Sequence, residues 1–191
     1  MAKAFSENEI ELIRQKLIES CQICWERYGY RKTNVAQLCE MAGISTGAFY
    51  AFYPSKEVLF VKTAETFSDA LLEKVRQNVP EHPTKRDLGD CMKMILSEVG
   101  ANKWLFSLRN DYEFFQRKLP PEYVNDSYRK DLIDIGGLIA LYGMKPKVSI
   151  QEITAVIYTL YMSLYFNDII GEYHQAAVGM LIDGVLDQLF E

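Results

Sequence analysis

The chain has 191 residues, of which 49% are hydrophobic and 25% are charged, and its formal net charge is −5. This composition excludes a disordered or fibrous protein, and the negative charge argues against nucleic-acid binding that depends on the overall field. The charge is uneven, however, because residues 27–56 hold four basic side chains against Glu40 alone, a net of +3. A local nucleic-acid interface in this segment therefore stays open.

Neither secretion nor a membrane span is expected from the sequence. Residues 1–5 lack the apolar run of a signal peptide, and Thr159 and Ser163 interrupt the most apolar stretch, residues 155–166. Cysteines in such a chain are expected to be reduced, as they are in a cytoplasm. We therefore expect a cytoplasmic protein whose thiols are free, at Cys21, Cys24, Cys39 and Cys91.

The spacing of apolar residues predicts an all-α chain of about nine helices, because the prolines lie outside the periodic runs and no segment alternates like a strand. Ser6 and Glu9 form a capping box that starts the first helix, which ends near Gly29. Two short helices follow, and Ser55 caps a helix over residues 55–79. The remaining predicted helices span residues 84–100, 103–118, 121–143, 149–171 and 174–190.

The two short helices have the pattern of a helix-turn-helix motif. Thr33 or Asn34 caps the first helix, Gly43 supplies a position that tolerates positive φ, and Ser45 caps the second helix. Pairs of helices with a glycine turn also occur in bundles that never contact DNA. The spacing by itself therefore leaves both possibilities open.

The second short helix combines small residues with aromatic ones. Its leading residues, 45–48, are small enough for a helix N-terminus to approach the floor of a groove closely. The aromatic residues at positions 49–53 are more than one face of so short a helix can bury. We expect Phe49 and Tyr53 to pin the helix to the protein and Tyr50 to present its hydroxyl to a phosphate.

Several motifs follow one another between residues 28 and 57: Tyr28-Gly29-Tyr30, Thr33-Asn34-Val35, Ala42-Gly43-Ile44-Ser45, Gly47, Phe49-Tyr50 and Pro54-Ser55-Lys56-Glu57. Their order and spacing resemble the N-terminal DNA-binding domain of the tetracycline-repressor (TetR) family. The resemblance implies an N-terminal three-helix DNA-binding domain over residues 6–56, linked through the helix 55–79 to a helical ligand-sensing and dimerisation domain over residues 57–191. It also implies a homodimeric transcriptional regulator, in most members a repressor, that binds a palindromic double-stranded DNA operator and is released by a small molecule.

Carried over residue by residue, the resemblance implies two kinds of DNA contact. Phosphates would be bound by side chains at the start of the second helix, on the third helix and at the start of the fourth helix. The first residues of the third helix would lie at base edges. The implied phosphate-binding residues are Thr33 or Asn34, Tyr50 and Lys56, and the implied groove residues are Ser45, Thr46, Gly47 and Ala48.

The chain departs from the common residues of the family at three positions of the third helix. Thr46 stands where such proteins often have lysine, Ala48 where they often have threonine, and Phe52 where they often have histidine or tyrosine. With fewer polar donors, contact of Ala48 or Phe52 with a thymine methyl group becomes part of the expected readout. Arg31 and Lys32 also flank the second helix, either as phosphate ligands or as solvated surface charges.

The residues beyond Lys56 are dense in tyrosine, phenylalanine and methionine, a composition that suits either a packed core or a ligand cavity. Buried tyrosine hydroxyls need hydrogen-bond partners, and a ligand is one candidate. Together with the resemblance, this predicts a pocket for a small, largely apolar or aromatic effector. Its expected lining is Trp104, Phe106, Tyr112, Phe115, Tyr128, Tyr142, Tyr161 and Tyr165.

The last two predicted helices carry apolar stripes at spacings of three and four residues, with a second apolar edge on the first of them. If one protomer's core does not cover both, a C2 homodimer that pairs these helices is the simplest assembly. The alternative is that both helices are internal. The expected interface residues are Ile153, Ile157, Leu160, Leu164, Val178, Leu181 and Val185.

The sequence offers no catalytic or metal-binding constellation. His82 and His174, both expected at the surface, fit no spacing of a triad or a zinc site. Cys21 and Cys24 form a CxxC pair, but it lies inside a predicted helix and has no second pair. We therefore expect no enzyme, no metal and no cofactor. An all-α enzyme, a protein scaffold and a thiol-responsive regulator remain as alternatives.

Overall fold

The computed structural model describes residues 6–108, 111–124 and 126–191, and the side chains of all of these except 124 and 126–132. In this part of the chain the only β contact is an isolated bridge between Pro146 and Phe190, which confirms the all-α prediction. Turns of 3-10 helix span Lys103–Phe106, Leu164–Phe166 and Gly171–Tyr173. The helices are α1 (Glu7–Lys32), α2 (Val35–Ala42), α3 (Thr46–Phe52), α4 (Lys56–Asn78), α5 (Lys85–Ala101), α6 (Tyr112–Gln116), α7 (Pro121–Val124), α8 (Asp126–Leu141), α9 (Ile150–Ser163), α10 (Asn167–Ile170) and α11 (His174–Leu189).

The caps of the N-terminal helices are those predicted. The hydroxyl of Ser6 accepts a hydrogen bond from the Glu9 amide at 3.3 Å, and the Glu9 carboxylate accepts one from the Ser6 amide at 2.8 Å. Ser55 accepts from the amide of Val58 at 3.2 Å and so starts α4. Gly29 has φ 72° inside α1, so that the backbone leaves the helical conformation where the first helix was predicted to end.

The predicted continuous helix over residues 103–118 is wrong, because a 3-10 turn and the short α6 occupy this segment. The rings of Trp104 and Phe115 both contact Phe60, at centroid distances of 5.5 and 5.4 Å. In one unbroken helix these two residues would lie about 16 Å apart along the axis, too far to share one ring. Packing against Phe60 therefore breaks the helix.

The predicted helix over residues 149–171 is shorter than expected, because α9 ends at Ser163. The Ser163 hydroxyl donates to the Leu160 carbonyl at 2.6 Å and lies 3.1 Å from Nε2 of His174. Since the hydroxyl proton is used, the ring of His174 is the donor in the second contact. The expectation that His174 lies at the surface is therefore wrong, because it is 4% exposed and ties the start of α11 to the end of α9.

The chain forms two compact units, and the first consists of the described residues of Met1–Asp69 and Lys103–Val124. Its core centres on Trp25, whose ring lies 4.1 Å from Phe60, 5.2 Å from Tyr30 and 6.0 Å from Phe115, measured between centroids. The fully buried residues Leu17, Leu38, Phe49 and Leu59 complete this core.

The second unit consists of the described residues of Ala70–Asn102 and Asn125–Glu191. In it α5 packs against α11 and α8 packs against α9. Gly89 lets α5 approach α11 closely, because a Cβ at this position would lie 3.1 Å from a methyl group of Leu186. The core residues are Leu96, Ile139, Ile153, Leu160, Val178, Ile182, Leu186, Leu189 and Phe190.

The two units do not coincide with the division at residues 56 and 57 that the resemblance implies. Residues 103–124 group with the N-terminal helices through Trp104 and Phe115, and the first half of α4 belongs to the same unit. A division by packing and a division by function need not agree, and the functional boundary stays a prediction.

Candidate nucleic-acid interface

The turn between α2 and α3 is built from local hydrogen bonds that the sequence encodes. Of the two predicted caps of α2, Asn34 is the one observed, because its side chain accepts from the Gln37 amide at 3.0 Å. Gly43 ends α2 with φ 74°, a left-handed conformation that glycine adopts without strain. Ser45 then caps α3 by accepting from the Ala48 amide at 3.2 Å. The predicted helix-turn-helix is therefore present.

One side of α3 is anchored in unit 1 and the other faces solvent. Phe49 is fully buried and Tyr53 is 8% exposed, whereas Tyr50 is 57% exposed. This sorting of the aromatic side chains agrees with the prediction. The leading residues Ser45, Thr46 and Gly47 are exposed, while Ala48 and Phe52 are half-buried.

Gly47 is not required by the fold of this chain. A Cβ placed on it would meet the Ser45 hydroxyl oxygen at 4.0 Å, an ordinary contact, and its φ is not in the left-handed region. Glycine inside a helix is less favourable than alanine, by about 0.5–1 kcal/mol. Since the fold does not require glycine at position 47, we interpret Gly47 as a position where the backbone of α3 approaches another molecule closely.

Next to α3 lies a surface cleft that brings together most of the predicted phosphate-binding residues. Asn34, Tyr50 and Lys56 line it, and Arg31 and Thr33 contribute to the same wall. These residues come from α1, α3, α4 and the turn before α2, so that the helix-turn-helix geometry gathers them.

Lys56 has a structural role in this cleft. Its ammonium donates to the carbonyl oxygens of Tyr30 at 2.8 Å and Thr33 at 2.6 Å, and it lies 4.3 Å from the centroid of the Tyr30 ring. Partial burial lowers the pKa of Lys56, because the charged form loses solvent, while the neighbouring Glu57 carboxylate opposes this. Lys56 thus caps the end of α1, which the sequence did not reveal.

Thr33 and Asn34 were alternatives in the sequence, and the structure separates their environments. Thr33 is 1% exposed, and its hydroxyl has two carbonyl acceptors within reach for its one proton, that of Gly29 at 2.8 Å and that of Cys24 at 3.1 Å. Asn34 is exposed at the N-terminus of α2. A phosphate at this end of α2 would therefore meet Asn34 and not the Thr33 hydroxyl.

Glu57, which also lines the cleft, forms a buried pair with Tyr30 that the sequence did not reveal. The Tyr30 hydroxyl donates to Glu57 Oε1 at 2.8 Å, and Glu57 is 7% exposed. Burial first, and then the Glu57 carboxylate, raise the pKa of Tyr30, so that the phenol stays protonated and keeps donating. The two residues are 27 positions apart, so that no local sequence pattern predicts their contact.

The cysteines of unit 1 lie in its core. Burial raises the pKa of Cys21 to about 12 and also raises that of Cys24, so that both thiols stay protonated near neutral pH. Together with Cys39 and Cys91 they are free thiols, as predicted. Their environment is that of apolar core residues.

Unit 2 contains an apolar cavity of about 120 Å³. It lies among the C-terminal end of α4 and helices α5, α8, α9 and α11. Burial raises the pKa of the Cys91 thiol on its wall, so that this side chain is also neutral. The lining includes Val75, Val79, Leu88, Cys91, Met92, Ile95, Ile139, Tyr142, Ile153, Ile157, Leu186 and Leu189.

The eight residues predicted to line a pocket do not come together. Tyr142 lines the cavity of unit 2. Trp104 and Phe115 are core residues of unit 1, to which Phe106 and the exposed Tyr112 also belong. The rings of Tyr161 and Tyr165 meet edge to face at 5.9 Å between centroids, and the side chain of Tyr128 lies outside the described residues.

The residues predicted for a dimer interface are divided between the core and the surface of unit 2. Ile153, Leu160 and Val178 are core residues, and Ile157, Leu164 and Val185 pack partly buried against that core. Leu181 is 60% exposed. Other apolar residues of the same two helices and their connection are exposed: Met162, Phe166, Ile169, Ile170, Tyr173 and Met180.

Among the described residues, Ile150–Leu189 is a helical stretch that by length and composition alone could cross a membrane. Its most apolar 18-residue segment has a mean hydropathy of 1.3, and 17% of that segment is buried. The stretch is interrupted at Gly171, where φ is 75°. Part of this apolar stretch lies in the core of unit 2, including Ile153, Leu160, Val178 and Ile182, and most of the rest is exposed or half-buried.

Comparison with known proteins places the helix-turn-helix in a family. Residues 23–63 match the family model described as "Bacterial regulatory proteins, tetR family". The HTH-type transcriptional repressor AcnR of Corynebacterium diphtheriae is 27% identical over 128 residues, which cover 63% of this chain and 63% of that protein. AcnR of Corynebacterium efficiens is 32% identical over 108 residues, 53% of either chain. The matches thus span less than two thirds of these relatives.

Solved structures extend the similarity of the fold along most of the chain. FadR of Bacillus subtilis, solved in complex with stearoyl-CoA, has a TM-score of 0.66 at 17% identity and covers 90% of this chain and 96% of its own. A TetR family transcription regulator of Marinobacter aquaeolei has a TM-score of 0.65 at 16% identity and covers 97% and 100%.

The matched residues 23–63 include the end of α1, the whole of α2 and α3 and the start of α4. They are the part of the chain where the caps, the turn and the exposed face of α3 agree with the motifs found in the sequence. Residues 23–63 of this chain are thus similar to the helix-turn-helix region of the tetR family of bacterial regulatory proteins, and the solved structures have a similar fold over most of the chain.

Proposed function

We propose that this chain is a ligand-responsive transcriptional regulator, a repressor that binds a palindromic DNA operator as a homodimer and is released by a small molecule. The observation that carries the proposal is the N-terminal turn of α3, which is exposed and small while Phe49 fixes the opposite side of the helix in the core. The curated relatives named as transcriptional repressors support the same function.

In the proposed complex the N-terminal turn of α3 enters the major groove. Ser45 and Thr46 supply hydroxyl groups at base edges, and Ala48 and Phe52 supply apolar surface for thymine methyl groups. Asn34, Tyr50 and Lys56 in the adjoining cleft bind phosphates, which gives an affinity that falls with salt concentration. Because two N–H groups of Lys56 are bonded within the protein, one remains for a phosphate.

Gly47→Ala tests whether the backbone of α3 approaches DNA closely. The variant should be as stable as the original or more stable, by up to about 1 kcal/mol, because alanine is the better helix residue and the space is open. Its DNA affinity should fall by about tenfold or more, the cost of displacing α3 from the groove floor. Urea unfolding and fluorescence anisotropy measure the two quantities.

The matched control for this substitution is Ala51→Gly in the same helix, at an exposed position beyond the N-terminal turn. It should lower stability and leave affinity nearly unchanged. A Gly47→Ala protein that binds DNA as tightly as the original would show that the groove does not reach position 47.

Dimerisation is proposed through the exposed apolar side chains of α9, α11 and their connection. Leu181, Met180 and Ile169 are 60%, 74% and 74% exposed. Single exposed apolar residues are common, but a concentration of them on adjoining elements favours an interface. A twofold pairing would set two α3 helices about 34 Å apart, one turn of DNA.

Selection of bound sequences from a random duplex pool tests the DNA-binding and dimer proposals together. We expect an inverted repeat whose half-sites are separated by about one or two helical turns. Sedimentation of the free protein should give the mass of a dimer. Recovery of no enriched sequence, with no binding to any duplex at low salt, would contradict the proposal.

The apolar cavity of unit 2 is the proposed effector site, because apolar side chains from α4, α5, α8, α9 and α11 converge to line it. At about 120 Å³ it is close to an engineered cavity of about 150 Å³ that stays dry and binds benzene in another protein. A small apolar molecule of about the size of benzene is therefore the proposed occupant. The stearoyl chain of the ligand bound by FadR is several times larger and would require the cavity to expand.

Cys91→Phe tests the cavity as a ligand site, because Cys91 is part of the cavity wall and a phenyl ring at this position would fill part of the volume. Toluene well above its dissociation constant should raise the melting temperature of the original protein by about 2–4 °C for each kcal/mol of stabilisation, which grows with the toluene concentration L as RT ln(1 + L/Kd), and that of Cys91→Phe not at all. Cys91→Ala, which keeps the cavity open, is the control and should respond like the original. An equal response of all three proteins would place the probe elsewhere.

A further inference from the structure

Arg31 lies at the end of α1, on the wall of the cleft that also contains Asn34, Tyr50 and Lys56. Its Nε donates to Oδ1 of Asp111 at 2.6 Å, and its guanidinium carbon lies 5.4 Å from the centroid of the Phe114 ring. Asp111 and Phe114 are 80 and more positions away in sequence, in the segment that forms α6. The side chain is therefore held by two groups from another part of unit 1.

Asp111 does not cap its own helix, α6, with its side chain. It occupies the N-cap position of α6, where aspartate normally accepts a backbone amide, yet its side chain makes no cap hydrogen bond. The carboxylate is turned towards Arg31 instead. Since the side chain of Arg31 is 68% exposed, an ion pair of this kind contributes little to the stability of the fold.

The contacts that hold Arg31 leave its two terminal amino groups available for binding. The contact with Asp111 is made by Nε, and none of the described residues accepts a hydrogen bond from the terminal amino groups. These groups form the fork with which arginine binds a phosphate. Lys118, with Nζ 5.6 Å from the same Phe114 ring, adds positive charge beside it. The guanidinium is thus held at Nε while its terminal amino groups can bind an anion.

We propose that Asp111 and Phe114 are positioning residues that hold Arg31 for a DNA phosphate, so that the α6 segment sets the affinity of the helix-turn-helix for the DNA backbone. This inference rests on the proposed function. Because Arg31 is already ordered, its side chain loses little rotamer entropy when it binds a phosphate. In this proposal that saving outweighs the repulsion between the Asp111 carboxylate and the phosphate, which solvent and salt screen. Displacement of α6 would then release Arg31 and weaken binding to every sequence alike.

The test uses the full chain and a fluorescein-labelled mixed-sequence duplex of about 30 base pairs, since backbone contacts need no operator. Arg31→Ala should weaken binding about tenfold and lower the slope of log K against log salt by about one for each bound protomer. Asp111→Ala should weaken binding about three- to fivefold, and Asp111→Asn, which keeps the acceptor oxygen, should restore most of the loss. In an Arg31→Ala background, Asp111→Ala should have no further effect.

Each other result has a distinct meaning. Unchanged binding in Asp111→Ala, or a loss that persists in the Arg31→Ala background, overturns the inference, as does an Asp111→Asn protein that binds as poorly as Asp111→Ala. Tighter binding in both Asp111 variants would mean that the carboxylate competes with the phosphate, which also overturns it. If the original protein ignores the duplex at low salt, the proposed function fails and the inference with it.

Discussion

Phe49→Ala is expected to lower the free energy of unfolding by about 3–5 kcal/mol and to abolish DNA binding. Phe49 is fully buried, and its ring contacts those of Tyr50 and Tyr53 at centroid distances of 5.4 and 6.1 Å. The seven residues of α3 are too few to be stable as an isolated helix, so that the helix depends on this anchor. Urea unfolding and anisotropy with labelled duplex DNA measure the two effects.

Tyr50→Phe is the matched control for this prediction. Tyr50 is the next residue of the same helix but is 57% exposed, so that loss of its hydroxyl should change stability by no more than about 0.5 kcal/mol. If the hydroxyl binds a phosphate, affinity should fall by about three- to tenfold for all DNA sequences alike. A Phe49→Ala protein that unfolds and binds like the original would contradict the anchoring of α3.

Trp25→Ala should have a comparable effect on unit 1, a loss of about 3–5 kcal/mol. Trp25 is fully buried and joins α1 to Phe60 of α4 and to Phe115 of α6. The cavity left by its removal would loosen the contact that brings the α6 segment to the end of α1. The variant should therefore also weaken the contact between Arg31 and Asp111, and with it nonspecific DNA binding.

Trp25→Phe separates the ring contacts from the indole N–H. Nε1 of Trp25 is buried and has no acceptor among the described residues, so its removal sacrifices no hydrogen bond there. The cost should be about 1–2 kcal/mol, less than half that of alanine. The chain has two tryptophans, and the emission of the buried Trp104 then follows unfolding of unit 1 in both variants. Equal losses in the two variants would contradict the role of ring packing.

The position of Trp104 and Phe115 bears on how aromatic residues should be interpreted in such a chain. Their type suggested a ligand pocket, yet both are packed against Phe60 in the unit that carries the helix-turn-helix. The cavity of unit 2 is lined mainly by aliphatic side chains, and of the predicted set it contains Tyr142. Core and pocket have the same composition, and only the arrangement of several helices separates them.

The helical fold, the caps at Ser6, Ser45 and Ser55, the turn at Gly43 and the inward and outward faces of α3 could all be predicted from the amino-acid sequence. These features depend on contacts within about four residues and on helical periodicity, which any short stretch of sequence displays. The contacts of Tyr30 with Glu57 and of Arg31 with Asp111, and the position of the cavity, became visible in the folded chain and could not be predicted. Such contacts join residues far apart along the chain, and they exist only once several helices have packed against one another.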